Sequence, residues 1–514
     1  MTEAIIGLDV GTTVVKAVLF APSGSDPSGQ VPSGSSSSGQ VPADAELGVA
    51  AQALPLHTPR PCWAELDPED IWQAVMGVLR AVARDVPPGT RVRAIALATQ
   101  GGTLLPCLAD GRPTYRAITW LDQRSQDLVA RWRAEGVADR VRLVSGWSPQ
   151  PGFPLPSIAW LRQARPEVFA ATERYLSVND FLAQRLTGCP ATNPSMAGEM
   201  LLADVATGQW NEELCGLGGI GPDHLSTILP SEAPLGRLLP EVASLAKLDP
   251  GTVVFNGGQD HACEALALGM RSRGAGLLAC GTAWVINGVA ESPSLDAIPA
   301  NMDLNHHVAP GRWIVSQLLG GLGACLEWWL NQCGPGQAAG REAAWASFDK
   351  ALAGTAAGCA GLVYLPQTGP RQVPNAAHRG GFAGLRLDHT SADMGRAIME
   401  AAAYELKWAL ERLSEAGRAI DGMWMIGGAT KSPFWPQIVA DITGLPLFLT
   451  QYAHGPALGA AILAGVGLGL FDSVETGLAS FPLSARTIEP GGAHAPAYDR
   501  QYAAYQRMAR GLAA

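Results

Sequence analysis

Two apolar, largely β-branched runs open the chain, residues 5–8 and 14–20, and the polar stretch 9–13 separates them. That spacing predicts strand, tight turn, strand. Residues 22–42 break the pattern. Ser, Gly and Pro dominate there, and Ser-Gly-Gln-Val-Pro occurs at 28–32 and again at 38–42. Such a composition predicts a flexible insertion at a loop tip. A third strand is expected at 47–56. Asp67 then reads as a helix N-cap and Pro68 as its first residue, with Glu69 and Asp70 favouring a first turn that continues to about Arg84. Residues 92–98 and 104–108 read as strands, with a hairpin turn at Asp110-Gly111. Residues 117–124 begin as a strand and end polar. From 125 to 186 the period is mostly helical, with proline breaks at 149–156. Gly216 to Gly221 matches G-x-G-x-x-G, but no strand precedes it and Pro222 follows, so it reads as a plain loop.

The second half opens like the first. A strand at 252–256 leads through Gly257-Gly258-Gln259-Asp260-His261 into a helix at 262–269, and strands at 277–279 and 283–289 flank Gly281-Thr282. This weak echo predicts a duplicated fold. A helix with Trp328 and Trp329 follows Gly320, Gly321 and Gly323. A long amphipathic helix spans 390–413, with Thr390 or Ser391 as its cap. Residues 423–426 form a strand that opens into Gly427-Gly428-Ala429-Thr430-Lys431-Ser432, and helices follow at 433–443 and 457–464. Residues 442–471 carry no Asp, Glu, Lys or Arg, yet Pro446, Pro456 and many glycines divide them into a strand and a buried helix rather than a membrane span.

Composition narrows the class. The 514 residues suffice for two or more domains, and 47% hydrophobic against 16% charged implies extensive burial. A net charge of −10 without any Lys/Arg block argues against nucleic acid as a partner. None of the nine cysteines forms a C-x-x-C pair, which fits free thiols in a reducing cytoplasm. No H-E-x-x-H occurs, so a zinc site is not expected. The N-terminus lacks the basic region of a signal peptide.

The polar centres carry the chemistry. Gly11 lets the backbone bend and approach a ligand, while Thr12 and Thr13 bring hydroxyls and N–H groups that suit anionic oxygens. Asp9, where the first strand ends, is placed to hold Mg²⁺ through water. An ordinary hairpin turn is the plainer reading of the same residues.

Several ordered stretches together resemble the FGGY carbohydrate kinases, within the actin/Hsp70-like ATPase superfamily. They are Asp9 to Lys16, Trp63 to Asp70, Trp120 to Arg124, Gly257 to Asp260, Gly281-Thr282, Arg379 to Leu385, Gly427 to Ser432 and Ala457 to Ala461. The resemblance covers nearly the whole chain outside 22–42. It implies an α/β fold of two actin-like (ribonuclease H-like) domains flanking a cleft, a sugar-binding one at 1–270 and a nucleotide-binding one at 271–514. It also implies ATP-dependent phosphorylation of a sugar, ketose or polyol hydroxyl.

With no P-loop in the chain, the resemblance assigns the phosphates to two separate turns: Gly11, Thr12 and Thr13 with Lys16, and Gly281 with Thr282. Lys16 is equally readable as an ion pair or surface contact. Asp260 becomes the general base, with helix capping as its alternative, and Asp9 and Asp260 the carboxylates for Mg²⁺. Gly427, Gly428, Ala429, Ser432 and Gln437 resemble the adenosine site, with Gly320, Gly321 and Gly323 as another wall or as packing residues. Gln100, Gly101, Gly102, Trp120, Asp122, Arg124, Asp260 and His261 are the substrate candidates. Core packing is the alternative for Trp120 and mutual pairing for Asp122 and Arg124. Xylulokinases usually carry Met-His where this chain has Gly101-Gly102, and Asn where it has His261, which puts D-xylulose in doubt. Family members often form dimers, so a homodimer joins the expected partners, with no interface legible. Two other readings stay open, an actin-like ATPase that controls partner binding and a non-catalytic sugar sensor.

Overall fold

Thr2–Val10 (β1) and Val14–Phe20 (β2) form an antiparallel hairpin in which Asp9 stands opposite Lys16. The computed structural model describes residues 2–22, 45–296, 298–334, 341–366, 380–450 and 452–511. The expected insertion, beyond Pro22, and Arg379 of the family-like stretch lie outside them.

The hairpin sits inside a six-stranded sheet. Its other strands are Glu46–Ala53 (β3), Thr90–Thr99 (β4), Pro234–Arg237 (β5) and Val253–Gln259 (β6), in the order β5-β6-β4-β1-β2-β3. β4 runs parallel to both β1 and β6. Every residue of β1 from Ala4 to Val10 is buried, as a sheet covered on both faces requires. Pro68–Arg84 (α1) covers one face, started by Asp67, whose carboxylate accepts the Glu69 N–H.

The second sheet has seven strands: Ala275–Cys280 (β7), Trp284–Ala290 (β8), Asp303–His306 (β9), Trp313–Gly320 (β10), Gly422–Ile426 (β11), Leu447–Leu449 (β12) and Arg486–Ile488 (β13). Its order is β9-β10-β8-β7-β11-β12-β13. β7 pairs antiparallel with β8 and parallel with β11, as β1 does with β2 and β4. The echo expected from the sequence is therefore a repeated sheet, with β9 as an added edge strand.

Asp260–Ala267 (α2) and Gly455–Gly467 (α6) meet between the sheets; Leu322–Gln332 (α3), Ser391–Glu415 (α4) and Trp435–Thr443 (α5) belong to the second half. α6 lies directly on the first sheet. A Cβ at Gly7 would fall on the Ala457 carbonyl, and one at Gly459 on the Cys263 carbonyl of α2. Ile5, Phe255, Leu266, Leu277, Val289 and Ile462 accordingly share one core that spans both halves. A separate apolar cluster, including Leu104, Trp132, Ile158 and Leu214, holds the short helices inserted after β4.

β9 ties the halves together again. Ser148 donates its N–H to Asp303 Oδ1 (2.9 Å) and Leu304 donates to the Gly146 carbonyl (2.9 Å).

Some boundaries move. β3 ends at Ala53, not 56. Residues 212–218 are helical, so the G-x-G-x-x-G stretch begins as the last turn of a helix, which Gly219 closes at φ +82°. The uncharged stretch divides into β12 and α6, and no described helix is long and apolar enough to cross a membrane.

Candidate active site

The turn between β1 and β2 is closed by the Gly11 N–H on the Val14 carbonyl (3.0 Å). Thr13 is exposed at its tip. Thr12 Oγ1 donates to Gln100 Oε1 (2.7 Å) and accepts from Trp120 Nε1 (3.0 Å). Gln100 in turn donates from Nε2 to the Gly11 carbonyl (3.3 Å) and from its backbone N–H to Val10 (2.9 Å). One buried amide, at the end of β4, thus sets the shape of the turn.

Beneath the turn lie two carboxylates. Asp9 is 8% exposed and lies 3.6 Å from Lys16 Nζ. Burial and then the Asp260 charge push its carboxyl up to about 6, against the pull of Lys16 and His261. Asp260 opens α2, and the cap of that helix is Gln259, whose Oε1 accepts the Ala262 N–H (2.9 Å). Gln259 Nε2 and the His261 N–H both donate to Asp260 Oδ1, at 2.8 and 2.7 Å. Asp260 Oδ2 has no hydrogen bond to any described residue. Burial raises the Asp260 carboxyl above the usual carboxylate range, with His261 opposing.

Beside the turn, Trp120 is 42% exposed and its indole is pinned by the bond to Thr12. A Cβ at Gly102, where φ is +65°, would strike the Phe153 ring, and one at Gly101 would fall on the Glu199 carboxylate. Asp122 and Arg124 are not brought to this surface. Asp122 is 0% exposed, accepting from the Ala64 N–H (2.7 Å) and from Arg124 Nε and Nη2 (2.8 and 2.7 Å). Arg124 also reaches Glu65 (2.7 Å) and lies 3.8 Å from the centre of the Trp63 ring. The pairing alternative accounts for both residues.

A cavity of about 710 Å³ opens on the second sheet, lined among others by Gly281, Thr282, Gly428, Ala429 and Ser432. The Trp284 and Trp435 rings beside it are 5.0 Å apart. Gly427 holds φ +97° against the Cys280 carbonyl, which turns the chain after β11. Ser432 Oγ accepts the N–H groups of Phe434 and Trp435 (both 3.3 Å), so it also steadies the start of α5. Gly320 ends β10 and Gly321 precedes α3, and neither lines the cavity, whereas Gly323 does. Gln437 is turned away, bonded to Asp441 (2.7 Å) and to the Glu489 carbonyl (3.0 Å).

Family models for the N-terminal and C-terminal domains of the FGGY carbohydrate kinases match residues 43–267 and 276–468. The chain belongs to this family. It is an FGGY carbohydrate kinase, a phosphotransferase with an alcohol group as acceptor. The kinase is 28% identical to the xylulose kinase of Bacillus subtilis over 98% of this chain and 96% of that protein. It is 30% identical to the xylulose kinase of Klebsiella pneumoniae over 90% of each. The crystal structure of xylulose kinase from Rhodospirillum rubrum superposes with a TM-score of 0.88, at 28% identity and 99% coverage of both chains.

Four polar groups stand at this corner without an expectation from the sequence. Gln259 is one, although it precedes Asp260 directly. Glu199, Glu264 and Asp303 surround the same corner, and burial pushes Glu264 and Asp303 each up to about 7. The three acids belong to no recognisable short pattern. Glu199 shows in the sequence only as an acid among apolar residues, and Asp303 lies among Asn301, Asn305, His306 and His307 with nothing to single it out.

Proposed function

We propose that the kinase transfers the terminal phosphoryl group of ATP to a hydroxyl of a ketose or polyol, with Asp260 as general base. The observation that carries this is the asymmetry of the Asp260 carboxylate. Oδ1 is held by Gln259 and the His261 N–H, and Oδ2 is left to take a proton. The raised pKa of Asp260 favours that role, since a base works best near the operating pH.

The cavity beside Gly281 and Gly428 suits the nucleoside, and the Gly11–Thr13 turn suits the phosphates. Mg²⁺ fits the corner: the Asp9 carboxyl is raised by burial and by the neighbouring Asp260, a strain that a divalent cation relieves. Among the described residues no cluster of three or more His, Cys, Asp or Glu side chains forms a cage. Asp9 and Asp260 with phosphate oxygens and water match the habit of this ion. Bound there, it would neutralise charge developing on the phosphates. Lys16 reads as the ion-pair partner of Asp9 rather than a phosphate ligand. We read 1–270 as the acceptor domain and 271–514 as the nucleotide domain.

Trp120 offers an apolar face to sugar carbons. The names of the relatives make D-xylulose the first acceptor to test, and Gly101-Gly102 with His261 are the reason to test others. The experiment is ADP release against pentuloses, hexuloses, polyols and aldonates. One acceptor should give strong turnover that Asp260→Asn lowers by about 10²–10⁴-fold while ATP still binds. Equal turnover by the variant removes Asp260 as base. ADP release indifferent to every acceptor would instead favour a nucleotide-driven machine.

A further inference from the structure

The acceptor wall read above has two glycines, Gly101 and Gly102, yet the space a side chain would take at each is filled. Glu199 takes the place of a side chain at 101, and Phe153 that of one at 102. Glu199 ends a helix, Pro194–Glu199, that Asn193 caps through the Met196 N–H (3.0 Å). Two residues on, Leu201 is held at φ +59°, a conformation that a leucine rarely adopts and that marks a constrained turn.

Glu199 is only 8% exposed. Among the described residues it makes no hydrogen bond and no ion pair. A carboxyl so buried without a partner is costly, and the usual remedy is a bound group that completes it. The charges that act on it are both acidic, Asp260 and Asp303. Of the cations around it, Arg124 pairs with Asp122 and Glu65, Lys16 pairs with Asp9, and Arg142, which acts on Asp303, donates to the Pro299 and Met302 carbonyls. Aromatic rings supply the remaining wall, with Trp147 and Phe153 at 5.4 Å and Trp120 exposed.

We propose that Glu199 is the acceptor-recognising carboxyl of this kinase, that it hydrogen-bonds a substrate hydroxyl, and that the acidic surroundings make the site select uncharged ketoses or polyols and reject aldonates. The chemistry allows it in either protonation state. An ionised carboxylate accepts from a sugar hydroxyl, and a protonated one donates. A substrate carboxylate in the same position would meet Glu199, Asp260 and Asp303, and the guanidinium that acts on Asp303, Arg142, is turned to the Pro299 and Met302 carbonyls. The inference rests on the phosphoryl-transfer reading above.

The test is steady-state ADP release by wild type, Glu199→Gln and Glu199→Ala, with D-xylulose, D-ribulose, xylitol, erythritol and gluconate as acceptors. Thermal unfolding of each variant is followed alongside. Wild type should prefer an uncharged acceptor over gluconate. Both variants should raise the KM for that acceptor about ten- to a hundred-fold, with the KM for ATP unchanged. Glu199→Gln keeps the side-chain shape, so it decides the matter if Glu199→Ala unfolds. An unchanged acceptor KM in Glu199→Gln overturns the assignment, and so does a wild-type preference for gluconate. In both of those cases acceptor-dependent turnover survives. Absence of turnover with any acceptor would overturn the phosphoryl-transfer reading itself, and the two failures are thereby told apart.

Discussion

At the residue scale, the corner works through one helix cap. Gln259 uses its carbonyl oxygen to cap α2 and its amide nitrogen to hold Asp260 Oδ1. Gln259→Ala should therefore do two things at once. It should destabilise the protein by about 1 kcal/mol, as lost caps do, and lower kcat by roughly ten- to a hundred-fold by releasing the base. Urea unfolding and acceptor-saturated turnover measure the two separately. Trp120→Phe keeps the ring and removes the indole N–H bonded to Thr12. It should raise the acceptor KM severalfold with little change in stability, read from the same assay. Asp9, Thr12 and Asp260 were legible in the sequence because turns and strand ends gather their polar residues within a few positions. Asp122 and Arg124 look the same in sequence, and only their contact with Glu65 and Trp63, about sixty residues away in the chain, turns them into a buried pair. Glu199 was hidden for the same reason, since what marks it is a glycine pair a hundred residues earlier.

At the element scale, periodicity located the strands around the two polar turns and the long helices α1 and α4, because burial on one face or both leaves a count of two or 3.6 in the apolar positions; it gave no strand at β5, β9, β10 or β13 and no helix at Ala495–Gly511. It failed where a side chain decides the boundary. Gln259 starts α2 at Asp260, two residues before the apolar period begins, and Gly219 lets a helix run into a stretch that reads as loop. α6 shows a different limit. Its residues from Ala457 to Gly465 are all buried, so no amphipathic stripe could announce which surfaces it touches. Those surfaces leave no room for a methyl group at Gly7. Gly7→Ala should push α6 off β1 and cost about 1–3 kcal/mol, seen as an unfolding midpoint lowered by several degrees. The same variant should lose activity more steeply on heating.

Across the whole molecule, the two sheets are held by a shared core and by β9. Asp303 stands at that second tie, accepting from Ser148, and burial lifts its carboxyl from the ordinary 3.8 to about 7. The folded state therefore holds this proton more tightly than the unfolded chain does. Stability from this group falls as pH rises from about 4 towards 7, and it is fully restored only below the unfolded value. Asp303→Asn keeps an acceptor for Ser148 without the ionisation. It should raise the unfolding midpoint at pH 8 by a few degrees and flatten its dependence between pH 5 and 8, as scanning calorimetry would record.

α6 also bears on how the polypeptide is made. The first sheet is complete in its strands once Gln259 has been synthesised, but one of its faces is covered by residues that come almost two hundred positions later. A nascent chain emerging from the ribosome carries that bare face until α6 has followed it, exposed to other chains all the while. Released early, at residue 270, the polypeptide should precipitate or be captured by chaperones. Supplying the missing half as a separate chain during refolding should rescue it.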